Sequence, residues 1–526
     1  QGSGMRKEPG SILRMGFRAG SFGTLEPSMR YSFSNQEELY GNIHASWHQS
    51  RGDFQFYSPV ALSGQGSGER WRRSNADASM YNMGASLNWK ASENWLFTMH
   101  SRFHKAEKGL PGPVIAYNPH SSQRLWNNDF SVLMQARHQP ASIWQSLSSV
   151  HFSNSRLRYL DPDFHNTQGR LEQLYHHQEF MLSHAVAVAK DSRLGLMVSN
   201  DLIFESLGGN VYRGERPSRL NALQALALQW SENSLDMRLV LHASHLWEHK
   251  AAAEGSPVNQ SSTSFLNPSL SMLWLVIPGE NEVRIRASAA RSMRLPSFNE
   301  LYYSLTGYTG LKPERLKQFN LGLIFSHRAY PGREISLVAD GWVNRVSDQI
   351  VAIPTRSLFV WSMRNLGRVH SHGIELRLQA AFELSQGRDL EWMLAGSLQE
   401  ATDRSQPGTA AYGSRVPYIP RQQLSSQLFL QRYPVRLGLS SHYSGFRYLL
   451  PGNPSEHFLP AWWQHDLMLQ WQFMAADSAI RLALEVNNLT NSYYEVIRGF
   501  PMPGRAFYLR LSWELSVLNT VFRQRS

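Results

Sequence analysis

Two lengths of connection alternate along this chain, and that alternation restricts its fold more than any single motif. Short connections lie near 91–94, 139–141, 190–192, 231–233, 278–281, 329–333, 385–388, 432–434 and 475–478. Long ones lie near 58–78, 108–127, 159–172, 208–217, 250–262, 294–314, 352–364, 403–419, 449–460 and 495–504. A tight turn at 21–24 and a short break at 35–38 precede the strict alternation. Between the connections, polarity repeats every second residue. In RAFYLRLSWEL, Phe507, Leu509, Leu511, Trp513 and Leu515 share one face, while Tyr508, Arg510, Ser512 and Glu514 share the other. AIRLALEV, VRLGLSSHY and VRIRAS behave alike, which is the period of a β-strand. Tight turns at one end and long loops at the other are the arrangement of an outer-membrane barrel. The fold class expected is all-β, a transmembrane antiparallel β-barrel of about 22 strands over residues 11–515, with short periplasmic turns and long extracellular loops.

Hydropathy does not oppose this. The longest clean apolar run, the one containing LWLVI, is far short of the roughly 20 residues of a membrane helix. A membrane strand needs only about 10 residues, half of them apolar. Arginines recurring on one face of a closed sheet predict a polar lumen with lipid outside. Trp89, Trp95, Trp230, Trp274, Trp392 and Trp471 fall within a few residues of short turns. An interfacial girdle of indoles predicts that position.

Several function classes are set aside. The net charge is +11, but the cations are scattered, so no nucleic-acid partner is expected. Without cysteine there is no disulfide, thiolate metal site or cysteine nucleophile. GQGSGE lacks the following helix that phosphate binding needs, and no HExxH occurs. No enzyme, cofactor or catalytic residue is expected. A passive porin would have about 16 to 18 strands. A barrel of about 22 strands needs a plug. Residues 1–10 are expected to be a linker from a plug domain absent from this sequence, and 516–526 a C-terminal tail.

Three stretches resemble landmarks of the TonB-dependent outer-membrane receptors. MRLPSFNELYY (293–303) followed by GLKPE (310–314) is similar to the family's mid-barrel signature. NLGRVHSHGIELRLQ (365–379) resembles the next landmark, an Asn followed by Gly-x-Glu entering a strand. LEVNNLTNSYYEVIRGFPMPGRAFYLRLSWEL (484–515) resembles the C-terminal signature. The resemblance covers the barrel. It implies active import powered by the TonB energy-transducing complex, acting through a plug and TonB box that this sequence lacks. Outer-membrane lipid, lipopolysaccharide and a surface substrate-binding lipoprotein are the other partners to consider.

KGLPGPVI with SSQRLWNNDF (108–130) and NTQGRLE (166–172) resembles receptors of the Bacteroidota type associated with cobalamin. A corrinoid is large and flat and suits aromatic loops. Tyr117, Trp126, Tyr302, Tyr303, Tyr308, Trp361 and Tyr412 lie in expected outer loops and are the candidate ligand contacts. The tyrosines of 294–314 are expected at the mouth rather than in a core, with Arg294 and Glu300 as a candidate ion pair. Haem is a rival cargo, but no histidine occurs between Ser297 and Leu311. A ferric siderophore would use Arg70, Arg72, Arg73, Arg356 and Arg364. Asp161 and Asp163 in LDPDF are candidate calcium ligands, with a plain turn as the alternative.

Overall fold

The computed structural model describes the chain except residues 1–9, 36–37, 58–69, 115–120, 142, 190–192, 211–215, 251–258, 304–306, 330–331, 355–360, 386, 476–477 and 518–526. Six of its short strands pair off as three two-stranded sheets, and twenty-two form one sheet, beginning with Gly10–Gly20 and ending with Ala506–Val517. These two strands pair antiparallel, Ser11 opposite Val517 and Gly20 opposite Tyr508, so the sheet has no free edge. Closure matters because an unpaired edge in hydrocarbon would leave its outward-pointing N–H and C=O groups unsatisfied. The expected linker lies outside the described residues apart from Gly10, which starts the first strand. Ser516 and Val517 of the expected tail continue the closing strand.

Ion pairs on the lumen face order the seam. Arg18 reaches Glu485 at 2.9 Å on the penultimate strand and Glu26 at 3.3 Å on the second. Arg510 also reaches Glu485, at 2.8 Å, and Arg14 reaches Glu514 at 2.9 Å. The opposite face is apolar: Phe507, Leu509, Leu511 and Trp513 are all exposed. A soluble protein would bury that row. Here it is the surface offered to lipid.

The indole girdle follows the same logic. Trp89, Trp95, Trp230, Trp274 and Trp392 are exposed near short turns. Trp95 stacks on His138 at 4.1 Å and on Phe97 at 5.7 Å, and Trp89 stacks on Phe97 at 5.5 Å. The belt therefore runs from strand to strand, at the depth where indole prefers to sit.

Strands rise beyond the lipid band on the long-loop side, and this shifts two expected boundaries. The loop expected at 108–127 spans 111–122, between the strands Trp95–Leu110 and Gln123–Ala141. Of the loop expected at 352–364, residues 352–354 end the strand Arg333–Pro354 and residues 361–364 begin the strand Trp361–Ser385. Above the membrane both faces of a strand meet water, so polarity no longer alternates and the sequence resembles a loop.

Candidate functional site: the extracellular mouth

The stretch 294–314 folds back into the barrel. The strand Asn281–Arg294 ends just before Pro296, and a five-residue helix, Phe298–Tyr302, follows. Ser297 and Glu300 form a capping box: the Glu300 carboxylate accepts from the Ser297 amide at 2.8 Å, and the Glu300 amide donates to Ser297 Oγ at 3.3 Å. Arg294 holds both ends of the stretch, donating to Glu314 at 2.7 Å and to both Glu300 oxygens at 3.0 and 3.1 Å. The expected Arg294–Glu300 pair is thus present, with Glu314 as a second partner. Burial disfavours charge on Glu300, but Arg294 and Ser297 outweigh it and hold its carboxyl below the ordinary range.

The helix carries Phe298, Leu301 and Tyr302 into a lumenal apolar cluster with Tyr175, Leu207, Leu311 and Ile350. This corrects the expectation that the tyrosines stand at the mouth rather than in a core. Tyr302 is only 6% exposed. Tyr303 stacks on Tyr175 with ring centroids 4.4 Å apart. Burial, then the neighbouring Tyr175 and Asp129, push its phenol up to about 12. Arg219 donates to the Pro296 carbonyl at 2.8 Å and lies 4.5 Å over the Phe298 ring. Glu205 pairs with Arg219 at 2.5 Å and with His177 at 3.4 Å. A wall-side cation thus holds the helix from below. Tyr308 lies on the outward part of the same loop and is 54% exposed.

The remaining landmark residues are fasteners. Asn365 donates from Nδ2 to the carbonyls of Lys312 and Asp348 at 3.0 and 2.6 Å, and its Oδ1 accepts from the Lys312 amide at 2.9 Å. Two sequence landmarks therefore meet in space. Asn488 sits at φ +51° and donates to Ser492 and Pro503 carbonyls at 2.9 and 3.1 Å. Asn491 accepts from the Arg505 amide at 2.8 Å, setting the start of the closing strand.

A family model described as TonB dependent receptor-like, beta-barrel, matches residues 30–489. The chain belongs to this family. The vitamin B12 transporter BtuB of Vibrio vulnificus (strain YJ016) is 28% identical over 160 residues, covering 30% of this chain and 25% of that protein. The match thus spans about a quarter of that relative. The copper transporter OprC superposes with a TM-score of 0.73 at 14% identity, over 97% of this chain and 80% of its own. The ferric-catecholate import receptor Fiu from K12 E. coli gives 0.70 at 11%, over 97% and 82%. At such identities these likenesses show the fold. The family consists of outer-membrane receptors and not enzymes, which agrees with the girdle and the lipid-facing rows.

In this TonB-dependent receptor barrel a second loop assembly closes the other side of the mouth. Arg73 is buried between the Phe56 and Phe500 rings, 6.0 Å from each, and donates to the Gly112 carbonyl. Burial lowers its pKa to about 10. Val114 donates to the Gly499 carbonyl at 2.7 Å, and Tyr57 meets Tyr493 edge-on at 4.6 Å. Arg447 donates to the Glu495 and Val496 carbonyls at 3.0 and 3.3 Å. Loops from four parts of the chain are thereby locked together.

The expected site residues are dispersed. Tyr308 and Tyr412 (41% exposed) remain open to solvent, with Arg404 lying 5.4 Å from the Tyr412 ring. Trp126 lies in the strand Gln123–Ala141, on the face shared with exposed Phe130 and Met134, under the Arg158 guanidinium at 4.6 Å. It belongs to the outer wall, not the mouth. Tyr117 lies outside the described residues, and Trp361 starts a strand. Of the basic set, Arg72 pairs with Asp53 at 3.1 Å, Arg70 donates to the Tyr57 hydroxyl at 2.9 Å, and Arg364 is exposed. Arg356 lies outside the described residues. Asp161 accepts from Gln123 at 2.9 Å and from the Asp163 amide at 3.1 Å, an Asx turn. Among the described residues, no group of three or more His, Cys, Asp or Glu side chains is placed to share a metal ion.

Proposed function

We propose that this barrel imports a large, scarce nutrient across the outer membrane, driven by the TonB energy-transducing complex through a plug and TonB box, and that the cargo is a cobalamin-class corrinoid. The likeness to a vitamin B12 transporter carries the cargo assignment. Exposed Tyr308 and Tyr412 supply flat aromatic surface at the mouth, suited to a corrin face. The docked helix buries Phe298 and Tyr302 and leaves Tyr308 open to solvent. The lumen's ion pairs give a polar inner wall, which a plug can slide past in water.

Binding of cyanocobalamin, haemin and a ferric siderophore to outer-membrane vesicles bearing the receptor tests this reading. Saturable cyanocobalamin binding is expected. Haemin or siderophore binding alone overturns it. Ungated flux of small solutes with no ligand binding would mark a passive porin.

A further inference from the structure

The outer wall carries a row of cations that neither the lumen nor the mouth uses. On the strand Glu314–Ala329, Phe319, Leu321 and Leu323 share the lipid-facing side, with Leu321 62% exposed. Their outer neighbours on the next two strands include Val343, Ile374 and Leu376, all exposed. From Phe319 down to the short turn, this face spans about 25 Å along the axis for a tilted strand, the height of a barrel's apolar band.

Just beyond Phe319 the outer face changes. Arg291 lies opposite Lys317, Lys317 opposite Arg345, and Arg345 opposite His370, so four adjacent strands present basic side chains along one register row, oblique to the membrane plane because the strands tilt. One step further out, Arg315 and Arg368 flank Ser347. The intervening positions, Ser288, Asn320 and Asn344, face the lumen, which fixes the row on the outside. Like charges opposite one another on a ladder sit about 5 Å apart and repel. Among the described residues, no carboxylate lies within ion-pair distance of Arg291, Arg315, Lys317, Arg345 or Arg368. Glu400, opposite His372, is engaged by Arg415 and Arg421 at 3.6 Å each.

We propose that this row docks the phosphorylated headgroup of an outer-leaflet glycolipid. The row stands where the apolar band ends, at headgroup depth. Guanidinium forks match phosphate oxygens, and a multiply charged headgroup relieves repulsion that no protein carboxylate relieves. The apolar face directly below takes the acyl chains, which free phosphate lacks. The site concerns the lipid around the barrel and is independent of the cargo.

The test uses the full receptor, delipidated and placed in zwitterionic nanodiscs. It is titrated with bisphosphorylated lipid A, with the same lipid dephosphorylated, and with inorganic phosphate. The wild type should bind bisphosphorylated lipid A, and rising salt should weaken that binding. The variant R291Q/K317Q/R345Q should bind about a hundredfold more weakly. Equal affinity in wild type and variant overturns the proposal. So does equal binding of the dephosphorylated lipid, or displacement by inorganic phosphate at matched concentration. Should the triple variant not migrate as a folded, heat-modifiable barrel, Lys317→Gln alone is expected to weaken binding about fivefold, and unchanged affinity overturns the proposal.

Discussion

Arg219 joins the barrel wall to the loop it supports: its guanidinium donates to the Pro296 carbonyl at 2.8 Å while lying 4.5 Å over Phe298. Glu205 holds that guanidinium in place. Replacing Arg219 with Ala leaves Glu205 nearly buried with only His177 beside it, and frees the helix from the wall. A loss of about 3 kcal/mol in the loop's local stability is expected. Hydrogen exchange at the amides of 298–302 should rise steeply, while exchange in the strands stays slow.

Alkali should undock the same loop. The folded-state pKa of Tyr303 is raised, to about 12, so its contribution is complete below the ordinary phenol value and is lost as pH rises through the folded one. Proteolysis within 294–314 should stay flat to a pH of about 10 and climb toward about 12. Tyr303→Phe should remove that climb. Glu300 acts at the other end of the scale. Its pKa is depressed, so the capping box and ion pair weaken only as pH falls below the ordinary carboxylate range.

Asn488→Ala removes a side chain that donates to two carbonyls and accepts from the Ser492 amide at 2.9 Å. It also puts Ala at a positive φ, which Asn tolerates better. A cost of about 2 kcal/mol is expected. The fraction of barrel that resists unfolding in detergent at a fixed temperature reports it.

Tyr308→Ala and Tyr412→Ala separate ligand contact from scaffolding. Each should weaken cargo binding by about 1 kcal/mol, near fivefold, without altering barrel stability. Tyr302→Ala should do the reverse, loosening the loop through lost burial in the lumenal cluster. A titration of vesicle-bound receptor with cyanocobalamin, paired with thermal unfolding, distinguishes the two classes.

The barrel was legible because lipid demands alternation on every strand that crosses it, and RAFYLRLSWEL shows that alternation plainly. The strand ends were not, because Trp126 and its neighbours stand above the lipid, where the outer face turns polar. That is why Trp126 resembled a loop residue. The helix Phe298–Tyr302 is too short for a helical period, although Ser297 and Glu300 stood at capping-box spacing. No local rule shows that Tyr302 turns inward while Tyr308 faces out. That choice depends on Tyr175, Leu207 and Ile350, which come from distant strands.

Import itself is the most direct test. Accumulation of labelled cyanocobalamin should be measured in cells carrying the full receptor, with and without a working TonB complex. The account predicts saturable uptake that stops when TonB is lost. Uptake unaffected by TonB, or no cyanocobalamin uptake beside TonB-dependent uptake of haemin or a ferric siderophore, would contradict it.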